Sequence, residues 1–199
     1  MPAYEIIIFP ASDTFAADPV AALKPAGEVF SQTEGCVSVH GGLAQEEKTG
    51  YVVITWDTTE HQHVVKNLDG NPEIISPIFG DGEKRAYHVN FFESPHNAMS
   101  MNTTEVLIMT LREGKKEEDL AQAFSVLGPK LNAEEGCAGP LAWGPTHEEP
   151  ERSFYTFIGW ESAKRHFEVG KQSSFQAPLA SVYGAAEMKM LHVDFNRIS

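Results

Sequence analysis

The residues best suited to catalysis are a histidine and an aspartate, His192 and Asp194, two positions apart. They fall in the run LHVDF, where apolar and polar residues alternate as in a half-buried β-strand, so both polar side chains share one face. An imidazole can act as a general base near neutral pH, and a neighbouring carboxylate can fix its tautomer. We therefore predict that the pair transfers protons. The alternative is that His192 is a hydrogen-bonded structural residue that helps to pair two sheets.

Similar residues recur around this pair and in the first half of the chain. The matching run HVNF holds His88 with Asn90 and lacks the carboxylate, which favours the second half as the catalytic one. His166 follows Trp160 by six residues and could line a cleft. Trp160 and its counterpart Trp56 either pack against helices or wall a pocket.

The sequence disfavours metal and phosphate chemistry. The two cysteines, Cys36 and Cys137, form neither a disulfide framework nor a zinc quartet, and we interpret them as reduced, buried strand residues. The sequence contains no Gly-rich phosphate loop, H-E-x-x-H or G-x-S-x-G motif. We therefore expect no metal and no cofactor.

The composition is that of an acidic globular protein. The 199 residues carry 28 acidic and 15 basic side chains, a formal charge of −13. Such a surface repels phosphate backbones and anionic lipids, so neither nucleic acid nor a membrane is an expected partner. The run MPAYEIIIFP lacks the basic and long apolar regions of a signal peptide. We expect a cytoplasmic protein whose partner is a small-molecule substrate or ligand.

These residues belong to an internal repeat with a period of about 100 residues. Four pairs of segments match in order: YEIIIF (4–9) with TEVLIM (104–109), EGC (34–36) with EGC (135–137), YVVITWD (51–57) with YTFIGWE (155–161), and HVNF (88–91) with HVDF (192–195). The offset drifts only slightly along the chain, as loop insertions between common elements would cause.

Each repeat predicts the element order β-α-β-β-α-β, the split βαβ arrangement of ferredoxin-like proteins. A strand opens each half, and a helix follows it. In the first copy Asp18 caps this helix and Pro19 occupies its first turn, and in the second copy the helix covers residues 116–131. Two strands then lead to a second helix, which begins at Thr58 or at Ser162, and a fourth strand completes the half.

The predicted fold class is α+β, with two tandem ferredoxin-like units. We expect residues 1–95 to form the first unit, residues 96–103 a polar linker and residues 104–199 the second unit. A four-stranded sheet with helices on one face leaves the other face bare, so the two sheets should pack face to face as a single-chain α/β barrel. The protein would then be a monomeric pseudo-dimer or a homodimer.

Alternation within the last strand divides its side chains between the two faces of the sheet. Leu191, Val193 and Phe195 are apolar and should lie beneath the helices. His192 and Asp194 should then look toward the interior of the barrel or its rim.

The ordered, duplicated motifs resemble the dimeric α/β-barrel superfamily, which includes the antibiotic-biosynthesis monooxygenase-like and the stress-responsive A/B-barrel proteins. The matching features are the duplicated EGC, the run W-E-S-x-x-x-H from Trp160 to His166, the pair Trp143-Gly144 and the closing HVDF. The resemblance implies a small cleft between sheet and helices in each half. Family members use such clefts for cofactor-free oxygenation of polycyclic phenols, polyketide cyclisation, isomerisation or dehalogenation, and in some branches for haem.

The resemblance favours a cofactor-independent cyclase, isomerase or monooxygenase that acts on a phenolic or polyketide-like substrate. The haem-degrading branch matches poorly, because the first strands contain no Asn and the Trp-to-His spacing is short. The enzyme hypothesis assigns catalysis to four residues and substrate binding to four more: His192, Asp194, Tyr155 and His166, and then His88, Tyr51, Trp160 and Trp56. In it His192 is the base, Asp194 orients it, and a tyrosine holds the developing oxyanion. The alternative is a non-catalytic stress-responsive or ligand-binding protein with filled clefts.

Overall fold

The computed structural model describes residues 2–61, 72–149 and 151–199, and the chain forms two compact units. The first comprises Met1–Val89 together with Val193–Ser199, and the second comprises Asn90–His192. Both units are α+β, as predicted, and their strands pair antiparallel. The face-to-face packing of the two sheets and the oligomeric state stay predictions.

The first unit is a five-stranded sheet with helices. Its elements are β1 (Ala3–Pro10), α1 (Asp13–Ala17), α2 (Pro19–Ser31), β2 (Cys36–Leu43), β3 (Thr49–Trp56), α3 (Pro72–Ile75), β4 (Arg85–Val89) and, from the end of the sequence, β9 (Asn196–Arg197). The strand order is β4-β1-β3-β2-β9. The two-residue strand β9 lies against the edge of β2, where Asn196 pairs with Gly41 and Arg197 pairs with His40.

The second unit is a four-stranded sheet with four helices among the described residues. Its elements are α4 (His96–Met99), β5 (Thr103–Leu111), α5 (Glu117–Asn132), β6 (Cys137–Pro145), β7 (Ser153–Trp160), α6 (Ala163–Gly170), α7 (Ser173–Ala185) and β8 (Ala186–Val193, whose last residue belongs to the first unit). The strand order is β6-β7-β5-β8. In the reverse direction, β8-β5-β7-β6, it matches the order β4-β1-β3-β2 of the first unit.

Local sequence signals explain where the helices begin. Asp18 accepts a hydrogen bond from the backbone N–H of Ala21, and Pro19 starts α2, which confirms the predicted cap. Ser162 likewise accepts from the N–H of Arg165 at 3.2 Å and begins α6, as predicted. The helix predicted from Thr58 falls largely outside the described residues.

The core of the second unit lies between its sheet and the helices α5, α6 and α7. Leu120, Phe124, Leu127 and Leu131 recur at helical spacing along α5 and are all buried in this core. Trp160 of β7 is buried in the same cluster. These helices therefore cover one face of the sheet, as the ferredoxin-like arrangement requires.

The segment predicted as a linker is part of the second unit. Residues 96–99 form α4, and the backbone of Asn90 and Phe92 just before it donates hydrogen bonds to Pro145 and Trp143 of β6, at 3.1 and 2.9 Å. The polarity of residues 96–103 indicated a solvated connection. Its first four residues instead form a short helix in which Ala98 and Met99 are buried, and Thr103 begins β5.

Gly144 gives a test of this edge pairing. A Cβ atom at position 144 would collide with the carbonyl oxygen of Asn90 and lie 2.6 Å from its carbonyl carbon. The backbone around Asn90, which pairs with β6, would therefore have to move. Because that movement would disrupt the two edge hydrogen bonds, we expect Gly144→Ala to lower the free energy of unfolding by about 3 kcal/mol. Chemical denaturation measures this change.

Gly128 provides the matched control for that substitution. It lies inside α5, and a Cβ there would meet no atom within 4 Å. Gly128→Ala should therefore stabilise the protein by up to about 1 kcal/mol. Equal effects of the two substitutions would contradict the close approach at Gly144.

No helix among the described residues is both long and apolar enough to cross a bilayer.

Candidate functional site

The second unit contains a cavity between the sheet and the helices α5, α6 and α7. Its volume is about 280 Å³, near the lower end for pockets that bind organic ligands. Most of the lining is aliphatic or aromatic, from Leu107 on β5 to Met190 on β8. Three ionisable side chains other than tyrosine interrupt this apolar surface: Glu105, His166 and Lys171.

Glu105 is the buried carboxyl group of the site. It lies on β5 and is only 5% exposed, and its Oε2 accepts a 2.9 Å hydrogen bond from the indole N–H of Trp160. Burial raises the pKa of Glu105 to about 7, although the Trp160 hydrogen bond and the charge of His192 act in the opposite direction. The carboxyl group can therefore hold or release a proton near neutral pH.

His166 and His192 form a hydrogen-bonded pair beside this carboxyl group. The Nδ1 atom of His166 lies 2.9 Å from the Nε2 atom of His192. On its other side, the Nε2 atom of His166 lies 3.4 Å from Oε2 of Glu105. The three side chains form a continuous polar chain, in which His166 is the middle member and His192 is completely buried.

The position of His166 is fixed by packing and by the start of α6. Its ring stacks with the indole of Trp160, with centroids 5.0 Å apart and an interplanar angle of 28°. The ring of Phe167 lies on it at 5.1 Å and 23°. Arg165 anchors the same helix through a 2.7 Å ion pair with Glu134 and a 2.9 Å hydrogen bond to the carbonyl of Glu135. The imidazole thus faces the cavity in a defined orientation.

This arrangement can move protons beside a largely apolar cavity wall. A carboxyl group with a pKa of about 7 and an imidazole can each give or take a proton there. If His166 takes a proton at Nε2, it can give its Nδ1 proton to His192, so the positive charge can be shared by both rings. The surrounding apolar walls strengthen each electrostatic interaction inside the cavity.

The structure brings together three of the residues that the sequence analysis selected for the second half. His166 and Trp160 line the cavity, and His192 lies behind His166. Tyr155 lies on the face of β7 opposite Phe154 and Ile158, which pack under the helices, so its hydroxyl points away from this cavity. Asp194 follows the end of β8 and accepts a 2.7 Å hydrogen bond from Gln45. Its orientation of His192 stays a prediction.

The predicted faces of the last strand are wrong for His192. Met188 and Met190 line the cavity under the helices. Because alternate residues of a strand share a face, His192 lies on the same face, and its ring contacts His166 of α6. His192 therefore points to the helix side, and Leu191 points to the other face. Leu191 and His192 are both buried, so hydrophobicity did not distinguish the two faces.

The residues selected in the first half occupy matching places, but their roles stay predictions. Trp56 packs on the helix side against Phe30, with centroids 6.3 Å apart. His88 pairs with Glu5 across β4 and β1. Tyr51 is completely buried on the other face of β3, and burial raises the pKa of its hydroxyl.

Glu105 is the site residue that the sequence analysis missed. It was treated only as part of the strand TEVLIM. The available signal was its repetition, because each opening strand has one acidic residue, Glu5 or Glu105, at the same place in an apolar run. A carboxylate in a buried strand is uncommon unless it is paired, so this pattern indicates a function.

Comparison with known proteins shows the fold. No protein-family model and no curated protein matches the chain. Among solved structures, a candidate monooxygenase from Fusobacterium nucleatum is 11% identical with a TM-score of 0.69, over 98% of this chain and 93% of its own. An anthrone oxidase-like protein is 10% identical with a TM-score of 0.62, over 100% and 93% of the chains. A haem-binding protein from Thermus thermophilus is 9% identical with a TM-score of 0.60, over 98% and 92%.

The chain has the ferredoxin-like α+β fold of these proteins. At these identities the likeness extends to the fold and not to the activity. The site must therefore be interpreted from its own residues.

The ferredoxin-like fold includes haem-binding proteins, so we tested whether this site fits haem. A haem iron takes an imidazole nitrogen as an axial ligand. Both ring nitrogens of His166 already face polar partners, His192 at 2.9 Å and Glu105 at 3.4 Å. A haem iron would have to displace one of these partners, and the four linked pyrrole rings of a porphyrin are too wide for a cavity of about 280 Å³. The site therefore does not fit haem, and we derive no step through haem.

Proposed function

We propose that the second unit binds a small, largely apolar organic molecule in its cavity and transfers a proton to or from a carbon atom of that molecule. One observation carries this proposal: the chain Glu105–His166–His192 begins at the wall of an apolar cavity. Buried titratable groups that converge on a pocket are a common feature of catalytic sites.

The proposal gives each residue of the chain a distinct role. Glu105 and His166 line the cavity, so they are the groups that can touch the substrate. His166 removes the proton, and His192 positions its ring and shares the resulting charge. Protonated Glu105 can donate a hydrogen bond to the oxygen on which negative charge develops. His192 therefore acts through His166 and is not itself the base.

We propose a phenolic or polyketide-like substrate for this site. The aromatic residues Phe124, Trp160 and Phe175 line the cavity and favour a flat ring system. A volume of about 280 Å³ suits one or two fused rings. Proton transfer at carbon is compatible with the cyclase, isomerase and oxygenase activities that the family resemblance implies, and two neighbours of the same fold carry the names monooxygenase and anthrone oxidase-like.

The second candidate is a non-catalytic ligand-binding or stress-responsive protein. In one form of this hypothesis the protein's own side chains fill the clefts. The cavity in the second unit supports an open cleft. An experiment must therefore distinguish catalysis from ligand binding without catalysis.

Hydrogen–deuterium exchange of a carbon acid distinguishes the two candidates. We expect the protein to accelerate exchange at the activated CH₂ group of 2-tetralone in D₂O, followed by NMR, because the site can remove and return that proton. Leu127→Trp places an indole in the cavity and should abolish both binding and exchange.

Val126→Trp is the matched control, because Val126 is the neighbouring residue of α5 and is exposed. It should leave both binding and exchange unchanged. A probe that binds in the cavity without any gain in exchange over buffer would favour the non-catalytic candidate.

A further inference from the structure

The cavity has a buried end and an open end that differ in polarity. Glu105 is at the buried end. At the open end, Phe167, Tyr183 and Met190 line the cavity and yet are 47%, 53% and 37% exposed. Single exposed apolar residues are ordinary on protein surfaces, whereas three around one opening indicate a binding mouth.

Lys171 adds a positive charge to this mouth. It is the C-terminal cap of α6, and it lines the cavity while remaining exposed. The other two cations of this helix have acidic partners: Lys164 lies 3.8 Å from Glu168, and Arg165 lies 2.7 Å from Glu134. Within the described part of the chain, Lys171 makes no ion pair.

The buried end of the cavity is unfavourable for a ligand group that already carries a full negative charge when it binds. A carboxylate placed there would lie beside the carboxyl group of Glu105 in a site with a low effective dielectric, and the two would repel each other. The rest of the protein surface is also acidic, with a net charge of −13. A carboxylate of the ligand is therefore better accommodated at the mouth than beside Glu105.

We propose that the natural ligand of this cavity is an aromatic carboxylic acid whose rings fill the apolar interior and whose carboxylate binds Lys171 at the mouth. This inference rests on the proposed small-molecule function of the site and specifies its ligand class. In this orientation the ring carbon or hydroxyl group farthest from the carboxylate meets Glu105 and His166. A lysine at a helix C-terminus also complements the helix dipole, and that role needs no ligand.

Two matched fluorescent probes test this orientation. The first is 6-hydroxy-2-naphthoate, and the second is 2-naphthol, which has the same rings and hydroxyl group but no carboxylate. We expect the wild-type protein to bind the naphthoate about five- to tenfold more tightly at low salt, as charge-assisted hydrogen bonds at a partly exposed site allow. At salt concentrations of about 0.5 M this advantage should shrink, because exposed charges are screened.

Two variants test whether Lys171 causes the tighter binding of the naphthoate. Lys171→Met should bring the affinity for the naphthoate down to that for 2-naphthol without changing the affinity for 2-naphthol. Lys164→Met removes an exposed cation from the same helix and should keep the wild-type ratio. Unchanged naphthoate affinity in Lys171→Met would overturn the inference.

The remaining outcomes separate this inference from the proposed function. If 2-naphthol binds as tightly as the naphthoate in the wild-type protein, the ligand-class inference fails and the small-molecule site stands. If neither probe binds, and Leu127→Trp changes nothing, the proposed function fails and the ligand class fails with it.

Discussion

The variant His166→Gln is expected to lose at least about 100-fold in the rate of proton exchange while it still binds the probe. Glutamine has a similar reach and can hydrogen-bond to both His192 and Glu105, but it cannot take up a proton near neutral pH. The stacking partners Trp160 and Phe167 keep the cavity wall in place. The loss should therefore appear in the exchange rate and much less in affinity.

NMR exchange rates and a binding titration measure the two effects separately. His96→Gln is the control, because His96 lies exposed on α4 and outside the cavity. His192→Asn should lower the rate less than His166→Gln and change its pH profile, because His192 acts through the ring of His166. A His166→Gln protein with wild-type exchange would contradict the role of His166 as the base.

The second large effect concerns stability and its dependence on pH. We expect Glu105→Gln to raise the melting temperature at about pH 8 by roughly 5–10 °C and to change it little at about pH 4.5. Glutamine has nearly the shape of glutamic acid, and its amide oxygen can still accept the hydrogen bond from Trp160. The gain comes from removing a buried charge.

The direction follows from the proton that Glu105 binds in each state. Its pKa rises from 4.5, the ordinary value that applies to the unfolded chain, to about 7 in the folded protein. Below pH 4.5 both states are protonated and the group has no effect. Between these two pKa values the folded state binds more protons, so stability falls as the pH rises, by about 3 kcal/mol in total. Above about pH 7 both states are ionised and the loss is complete.

Thermal unfolding of both proteins from about pH 4.5 to about pH 8.5 measures this difference. Glu113→Gln is a suitable control, since Glu113 is exposed and its substitution should give parallel curves. If the curves of the wild type and Glu105→Gln were parallel as well, Glu105 would not carry a raised pKa. A loss of stability in alkaline buffer would mean that ionised Glu105 is needed by its histidine partner.

Much of the fold could be predicted because similar local signals occur in both halves of the sequence. The opening strands and the EGC turns have the same local explanation in both halves, and the caps Asp18 and Ser162 each mark the start of one helix; the structure has these elements. The division of the chain could not be predicted in the same way. Pairing of residues 90–92 with β6, and of β9 with β2, depends on contacts distant in sequence, for which local patterns carry no signal.

The sequence indicated where the site lies better than it indicated which side chains contact each other there. The motif from Trp160 to His166 and the HVDF run identified three members of the cluster. The face of His192 could not be read from alternation, because Leu191 and His192 are both buried. Glu105 was overlooked because a strand pattern alone does not distinguish a buried acid from a solvent-facing one.

The position of β9 has a consequence for synthesis of the protein on the ribosome. The first unit is complete only when Asn196 and Arg197 reach the edge of β2, and these residues follow their partners Gly41 and His40 by more than 150 positions. At about 5–20 residues per second, the ribosome needs on the order of 10–30 seconds to supply them. During this interval the edge of β2 lacks its partner strand, and an unpaired strand edge is the kind of surface that can pair with another chain.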